Sequence, residues 1–538
     1  MATVTLTIDG REVTVEKGAT ILKAAQKLRI PIPHYCYHPA LPIAGSCRMC
    51  FVEVEKMPKL VTACSTVAGD EMVVSTDNEN VQRGRKGVME FLLINHPLDC
   101  PECDQAGECH LQNYSFKYGD SHSRFREDKR DRPPKDLGPT IKLYTNRCIM
   151  CTRCVRFGRE IDGFEELGVF QRGSHAQINT YPDKPLQNKL AGNVVDICPV
   201  GALIDKNFLH KARVWNLTRT PSVCPGCSSG CNLFVDTLDN RIQRLKPRFN
   251  GDVNGHWICD DGRYSYHAWE NIERLEQPMV RDNGELKAGT WDDALAAVKA
   301  NCERIHGVHG ADSMAAIGSA TATNEENYLL ATLFRGHFET SQLGLLHTNS
   351  NGEAESFKSG FTIEADKNWN ARGGAEMLEL SGDADSVEPI LAGINEGRIK
   401  ALYILRKDNR DDLPDAWLET LGKLELLIVQ DVTPSKLSAM AHVVLPGANA
   451  WESEGTVTNS AGRVQRVAAA QFPPGLALQG WDVVSRVLAK FTGGESYIGA
   501  NAVFNEMTGV RAAYQGMTFY GLGESGASLD QQATEATT

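Results

Sequence analysis

Fifteen of the 16 cysteines in this 538-residue chain lie between Cys36 and Cys259, and Cys302 stands alone in the second half. That skew splits the chain into a part rich in thiol ligands and a part that has to fold on apolar packing. Its length exceeds what one hydrophobic core can organise, so several domains are expected. An even cysteine total would allow eight disulfides, but disulfide-dense scaffolds are usually small and secreted. The N-terminus lacks the charged-then-apolar pattern of an export signal and the Arg- and Ser-rich pattern of a transit peptide. Reduced thiols on the cytosolic side are therefore expected, and the cysteines are read as ligands.

Charge and hydropathy remove other classes. With 56 basic against 68 acidic residues, the formal charge of -12 gives no footprint for nucleic acid. The longest uncharged run, Ile30 to Cys47, holds four prolines and two histidines and could not cross a bilayer as a helix. Any work at a membrane would be done through partners.

Residues 3–8 and 12–16 alternate as strands, and Thr20 caps a helix with Ile21, Leu22, Ala25 and Leu28 on one face, giving a ββα start. Cysteine-rich loops follow to about residue 217, interrupted by a mixed-charge surface connector, Arg124 to Lys135. From about residue 290 the pattern becomes that of a layered α/β domain. A helix over 291–306 presents Leu295, Val298, Cys302 and Ile305, and strands are expected at 315–318, 401–405, 426–430 and 443–445. Residues 520–538 carry few apolar side chains and read as a disordered tail.

The cysteines form four groups. In the first, Cys47 and Cys50 can grip a metal from a tight turn while Cys36 and Cys64 enter from flanking segments. Four thiolates suit zinc or iron-sulfur; the small-residue loop Ala44 to Met49 favours iron-sulfur, because its amides can approach bridging sulfides. The ββα start and the run Gly45-Ser46-Cys47-Arg48-Met49-Cys50 resemble the plant-type ferredoxin fold and its binding loop, giving a 2Fe-2S reading with structural zinc as the alternative. The second group, Cys100, Cys103 and Cys109, needs a fourth ligand for a cubane. His96 and His110 are the local choices, and His96 has the better geometry because neighbouring residues such as Cys109 and His110 tend to point apart. His34 and His38, around Cys36, read as supporting groups.

The third group, Cys148, Cys151 and Cys154, opens like a bacterial ferredoxin motif, but the place of its next cysteine is taken by Gly158. Cys198-Pro199 would close this site across 43 residues. The fourth group, Cys224, Cys227, Cys231 and Cys259, resembles the 4Fe-4S domain that opens the molybdopterin oxidoreductases, including the Gly262-Arg263 step. Where that family usually carries a lysine, this chain has Asp261, which puts electron transfer onward to a pterin in doubt.

The order of the four groups ahead of a molybdopterin-type domain closely resembles the large iron-sulfur subunit family of respiratory complex I, over residues 1 to about 490. The resemblance implies a multidomain α+β and α/β chain. Its parts would be a ferredoxin-like (β-grasp) 2Fe-2S domain at 1–78, a 4Fe-4S domain with one histidine and three cysteine ligands at 79–122 and a ferredoxin-like 4Fe-4S domain at 123–217. A molybdopterin-oxidoreductase-type 4Fe-4S domain at 218–275, a degenerate molybdopterin-oxidoreductase-like α/β domain at 276–500 and a tail at 501–538 would follow. It further implies Cys36, Cys47, Cys50 and Cys64 on the 2Fe-2S cluster, and His96, Cys100, Cys103 and Cys109 on a 4Fe-4S cluster. Cys148, Cys151, Cys154 and Cys198 would hold the next 4Fe-4S cluster. Cys224, Cys227, Cys231 and Cys259 would hold an extra one, found in some bacterial members and lying off the main route.

The function implied is electron relay within a proton-translocating NADH:quinone oxidoreductase. A partner subunit would oxidise NADH on FMN and pass electrons through this chain toward quinone, with other peripheral-arm subunits as neighbours. The chain would sit at the cytoplasmic face of the bacterial inner membrane, held through partners. No Gly-x-Gly-x-x-Gly turn or phosphate-binding lysine loop is found, so neither nucleotide has an obvious home here. No independent active site and no molybdopterin are expected, since Cys302 reads as a core thiol. Residues Gly352 to Glu396 are also too few for an inserted domain, whereas Asn459 to Gln465 resembles the end of the family's core domain. Glu452 and Glu454, beside Gly455, read as a solvated loop. The competing readings are a subunit of an NAD-linked formate dehydrogenase or hydrogenase, and a zinc-stabilised scaffold.

Overall fold

The computed structural model describes residues 2–182, 184–347, 352–380, 386–406 and 413–530. The chain divides into two compact units, one of residues 1–217 with 357–361 and one of residues 218–356 with 362–538.

In the first unit, Thr3–Ile8 and Arg11–Glu16 form an antiparallel hairpin, and Val73–Ser75 pairs parallel to the first strand. Phe51–Val54 and Val61–Thr62 complete a sheet of five strands among the described residues. Alternation puts Leu6, Ile8, Val13 and Val15 on one face, where Ile21, Leu22, Ala24 and Ala25 of the helix Ile21–Lys27 cover them. Thr20 caps that helix as expected, accepting from the Lys23 amide. Cys50 and Cys64 belong to this same core. Two prospective ligands are thus fixed by sheet packing, where each buried aliphatic side chain contributes about 1.5–3 kcal/mol.

The helices Glu79–Leu93 and His110–Tyr118 follow, then short elements that carry the third cysteine group. Residues 121–134 are largely exposed, as a connector requires.

The second unit opens with a meander of Thr218–Val223, Asn232–Leu238 and Arg241–Pro247. Its centre is a sheet whose parallel strands run in the spatial order Leu343–Leu346, Met314–Ser319, Ala401–Leu405, Leu426–Asp431, Val443–Pro446. The antiparallel hairpin Met279–Asp282 and Glu285–Ala288 is added at the edge. Both faces are buried: Ala316, Tyr403 and Ile428 enter one core, while Ile317, Ile404 and Val429 enter the other. Cys302, 2% exposed, packs in the first of these cores on the helix Trp291–His309.

Two expectations fail here. Residues 520–530 are not a disordered stretch, and 501–510 are not tail: the helix Ala500–Val510 buries Val503, Phe504 and Met507. Beyond it, Tyr514, Phe519, Leu522 and Leu529 join the large core, and Ala527–Ser528 pairs with the strand Arg463–Val467. Few apolar residues suffice because most of the large ones, Val510 and Tyr520 apart, are buried. Residues 531–538 lie outside the described residues. Glu452 is not solvated either; it is 4% exposed and held by both terminal nitrogens of Arg274 at 2.8 and 2.7 Å. Glu454 is half-buried, its amide donating to Gln479 Oε1.

One helix of the second unit, Asn324–Ala331, is buried on every side despite the polar run Asn324-Glu325-Glu326-Asn327. Hydrogen bonds within the unit satisfy these polar groups except Asn324 Oδ1, which is buried without a partner among the described residues. Asn324 donates to Thr456 and Thr458, and Glu325 accepts from the amide and hydroxyl of Thr456 at 2.8 and 2.9 Å.

Candidate metal centres

Among the described residues, no three His, Cys, Asp or Glu donors converge at the spacing of a single bound ion. The cysteines instead gather in four sets, each shaped by turns. A polynuclear cluster spreads its ligands over several irons and needs them farther apart than one ion does.

In the first set, left-handed residues Gly45 (φ 61°) and Arg48 (φ 61°) turn the loop around Cys47. The amides of Tyr35 and Cys36 both point at Cys47 Sγ, at 3.5 Å. The thiols act on one another in the order Cys47, Cys36, Cys64, Cys50. This holds Cys36 and Cys50 below the usual thiol range and pushes Cys47 and Cys64 above it. Four neighbouring thiols, three of them fully buried, with amide donors on the Cys47 sulfur, fit a tetrathiolate centre. His34 Nδ1–H donates to Ile32 O (2.8 Å) and His38 Nδ1 accepts from the Ala40 amide, so both brace the loop.

The second set hangs from the turn after the helix Glu79–Leu93, whose last carbonyls, Leu93 and Ile94, accept from Lys129 at 2.8 Å. Asp99 O receives the Cys103 amide at 3.0 Å, and the Asp99 carboxylate is paired with buried Arg147 at 2.6 Å. Cys103 and Cys109 are buried and Cys100 is exposed. Burial pushes the Cys109 thiol up to about 11 and holds His96 down to about 4, so the imidazole is neutral at neutral pH. The His110 ring lies against Tyr114 instead (5.9 Å between centroids).

All four cysteines of the third set, Cys148, Cys151, Cys154 and Cys198, line one small cavity with apolar walls from Leu143, Ile178, Val200 and Leu203. Met150 (φ 53°) and Thr152 (φ 59°) are left-handed between the cysteines, and for β-branched Thr152 that costs about 1–3 kcal/mol. Strain of this kind persists where a loop is shaped for a ligand. Burial pushes Cys151 up to about 11 and Cys148 up to about 12, so these thiols give up protons to a bound metal rather than to water.

In the fourth set Cys224 N donates to Cys231 O across the hairpin (2.8 Å), and Gly230 (φ 61°) makes its turn. Cys259 caps the helix Asp260–Arg263, its sulfur accepting from Gly262 N at 3.3 Å. A Cβ on Gly262 would stand 2.8 Å from Cys224 Sγ, which explains the glycine. Asp261 is exposed, whereas the cation of Lys367 acts on Cys224. The loop 228–230 is strapped from far along the chain: Ser460 N donates to Ser228 O, Asn459 to Ser229 O and Gln465 to Gly230 O, at 3.0, 2.9 and 3.0 Å.

The structure adds groups that motif spacing does not reveal. Arg147, Arg153 and Arg156 bind the cysteine loops to each other, and Asn232 donates to Gln465 at 2.7 Å. The only sequence signal for the arginines was their position inside or beside the third motif.

Five family models match the chain. They are the 2Fe-2S iron-sulfur cluster binding domain (1–79), the NADH-ubiquinone oxidoreductase-G iron-sulfur binding region (85–124) and the ferredoxin-like domain of NADH-quinone oxidoreductase subunit 3 (138–204). The molybdopterin oxidoreductase Fe4S4 domain (217–271) and molybdopterin oxidoreductase (274–364 and 352–490) complete the series. Among curated proteins, the G subunit of NADH-quinone oxidoreductase from Rickettsia bellii is 43% identical over 330 residues, 61% of this chain and 48% of that protein. The mitochondrial NADH-ubiquinone oxidoreductase 78 kDa subunit of Candida albicans is 32% identical over 95% of this chain and 85% of its own length. The chain thus spans about half the length of the Rickettsia relatives it matches. A solved NAD+-reducing [NiFe]-hydrogenase chain is 28% identical, covering 40% of this chain and 92% of its own, at a TM-score of 0.35 that carries no weight between readings.

Proposed function

The chain belongs to the family of the large iron-sulfur subunit of NADH:quinone oxidoreductase, and from that premise we propose that it relays electrons from an NADH-oxidising, FMN-bearing partner toward quinone. Its 2Fe-2S and 4Fe-4S binding domains carry the cofactors. Bound clusters supply one-electron chemistry; the protein's share is to hold them apart from water, set their potentials and keep them within electron-transfer reach.

In this reading Cys36, Cys47, Cys50 and Cys64 hold the 2Fe-2S cluster. His96, Cys100, Cys103 and Cys109, then Cys148, Cys151, Cys154 and Cys198, then Cys224, Cys227, Cys231 and Cys259 hold 4Fe-4S clusters. The segments 1–78, 79–122, 123–217 and 218–275 each deliver one set.

The observation that carries the reading is how the third set touches the other two in the first unit. Arg153 and Arg156, from its motif, reach the carbonyls of Tyr37 and Cys36 in the first set. On its other side the Pro199 carbonyl accepts from His110 N, and Gly201 abuts Cys103 Sγ, both in the second set. Three metal sites joined by direct contacts, with thiolates as the common donor, make a conduit rather than three separate structural metals.

Among the described residues no helix is long and apolar enough to cross a membrane. We place the chain at the cytoplasmic face of the membrane, held by other complex I subunits. A catalytic hydrogenase subunit would draw on further cysteines beyond Cys259 for its active cluster, and Cys302, sealed in an apolar core, is not one.

Metal analysis of the anaerobically purified chain tests the reading. About 14 iron atoms per chain with little zinc are expected; zinc as the dominant metal overturns it.

A further inference from the structure

Arg153 and Arg156 stand on the short helix Arg153–Phe157, on either side of Cys154 and its neighbour Val155. Arg153 is 6% exposed. Its guanidinium donates to Ile197 O, the residue before Cys198, at 3.0 Å, and to Tyr37 O, the residue after Cys36. Arg156, half-buried, donates to Cys36 O at 2.6 Å and to Cys151 O at 3.2 Å. One pair of side chains therefore joins the backbone of the first set to that of the third.

A guanidinium taken out of water needs a counter-charge, or burial costs several kcal/mol. Arg147 shows the ordinary solution, pairing with Asp99 at 2.6 Å. Arg153 is different. Among the described residues no carboxylate pairs with it, and its buried Nε–H has no acceptor. The acidic groups that act on it are the thiols of Cys151, Cys198 and Cys36, which would be anionic once they ligate a cluster, while Arg156, His34 and His110 are the basic groups around it. Its anionic partners are thus ligands of two different sites.

The geometry points to Arg153 as the shared counter-charge of the first and third clusters, a fixed cation that stabilises the reduced form of each and raises both potentials. The inference rests on the cluster assignment above. Reduction adds one electron, and one negative charge, to a cluster; no bond is made and no proton moves. A permanent cation near both sites favours that added charge at each, and the arginine is a positioning and potential-setting residue rather than a ligand.

The test is a redox titration followed by EPR on the full chain, purified anaerobically with its clusters. With Arg153→Gln, the midpoint of the 2Fe-2S signal and of one 4Fe-4S signal should each fall by at least the ~59 mV that a tenfold change in a one-electron equilibrium represents. The remaining signals should hold their positions. Arg153→Lys keeps the charge and should leave both midpoints within that interval. Full iron with either midpoint unmoved in Arg153→Gln overturns the inference, as does an Arg153→Lys protein that has lost or shifted either cluster. If Arg153→Gln does not retain its clusters, the lysine variant still decides. Wild-type protein far short of about 14 irons would sink the cluster assignment itself, which separates that failure from failure of the arginine's role.

Discussion

Gly201 and Cys103 are 98 residues apart in sequence, yet a Cβ placed on Gly201 would collide with the Cys103 sulfur. The glycine belongs to the Cys198-Pro199 turn of the third set, and the sulfur belongs to the second. Gly201 does not adopt a left-handed backbone, so what an alanine meets there is steric. Gly201→Ala should displace Cys103, remove about four irons per chain and lower stability by about 1–3 kcal/mol. Iron analysis with urea unfolding checks both, and a fully loaded Gly201→Ala protein would show that the contact is not needed.

His96 should be replaceable by cysteine but not by alanine. A thiolate in place of a neutral imidazole adds one negative charge, so His96→Cys should retain iron and lower the midpoint of one 4Fe-4S signal. His96→Ala should lose that signal. Unchanged EPR spectra and potentials in both variants would return the fourth ligand of the second set to His110.

Burial holds Glu325 neutral, its carboxyl pushed up to about 8 from the usual carboxylate range. Its contribution to stability is therefore complete below about pH 4.5 and fades as pH rises through about 8, a loss on the order of a few kcal/mol. Glu325→Gln keeps an acceptor for the Thr456 amide and cannot ionise. Urea midpoints measured at pH 6 and pH 9 should differ less in the variant than in the wild type, and an equal pH dependence would rule Glu325 out as its source.

Arg274 and Glu452 are both largely buried and joined in a two-bond fork. Removing either partner strands the other charge, so Arg274→Met or Glu452→Gln alone should cost about 3–5 kcal/mol. The double variant should cost clearly less than the two singles combined. Denaturant unfolding of the four proteins checks this; additive losses would mean the pair does not act as a unit.

What the sequence made legible was what local rules govern. Thr20 had to cap a helix, alternation had to turn Leu6 and Ile8 inward, and cysteines two or three residues apart had to share a turn. The apolar runs at 401–405 and 426–430 read as strands, and the structure pairs them in parallel and buries them. What stayed hidden depends on partners distant in sequence. Glu452 looked solvated because Arg274 lies 178 residues away. The stretch from residue 520 looked disordered because its few apolar residues, Leu522 and Leu529 among them, find their surroundings only in the assembled core. The arginines of the third motif are visible in sequence, but that Arg153 serves two sites appears only once Tyr37 and Ile197 are brought to it.

The strap across the fourth cysteine loop sets an order of manufacture. Cys224, Cys227 and Cys231 leave the ribosome more than two hundred residues before Asn459, Ser460 and Gln465, which fasten the loop carbonyls. At about 5–20 residues per second that is an interval of roughly ten to fifty seconds. The first set, complete at Cys64, needs no such wait. A delivery system that loads iron during synthesis would meet all four cysteines of the first site long before the loop of the fourth is fastened, so maturation in such a system would run from the N-terminus and its last step would wait for the distant half of the chain.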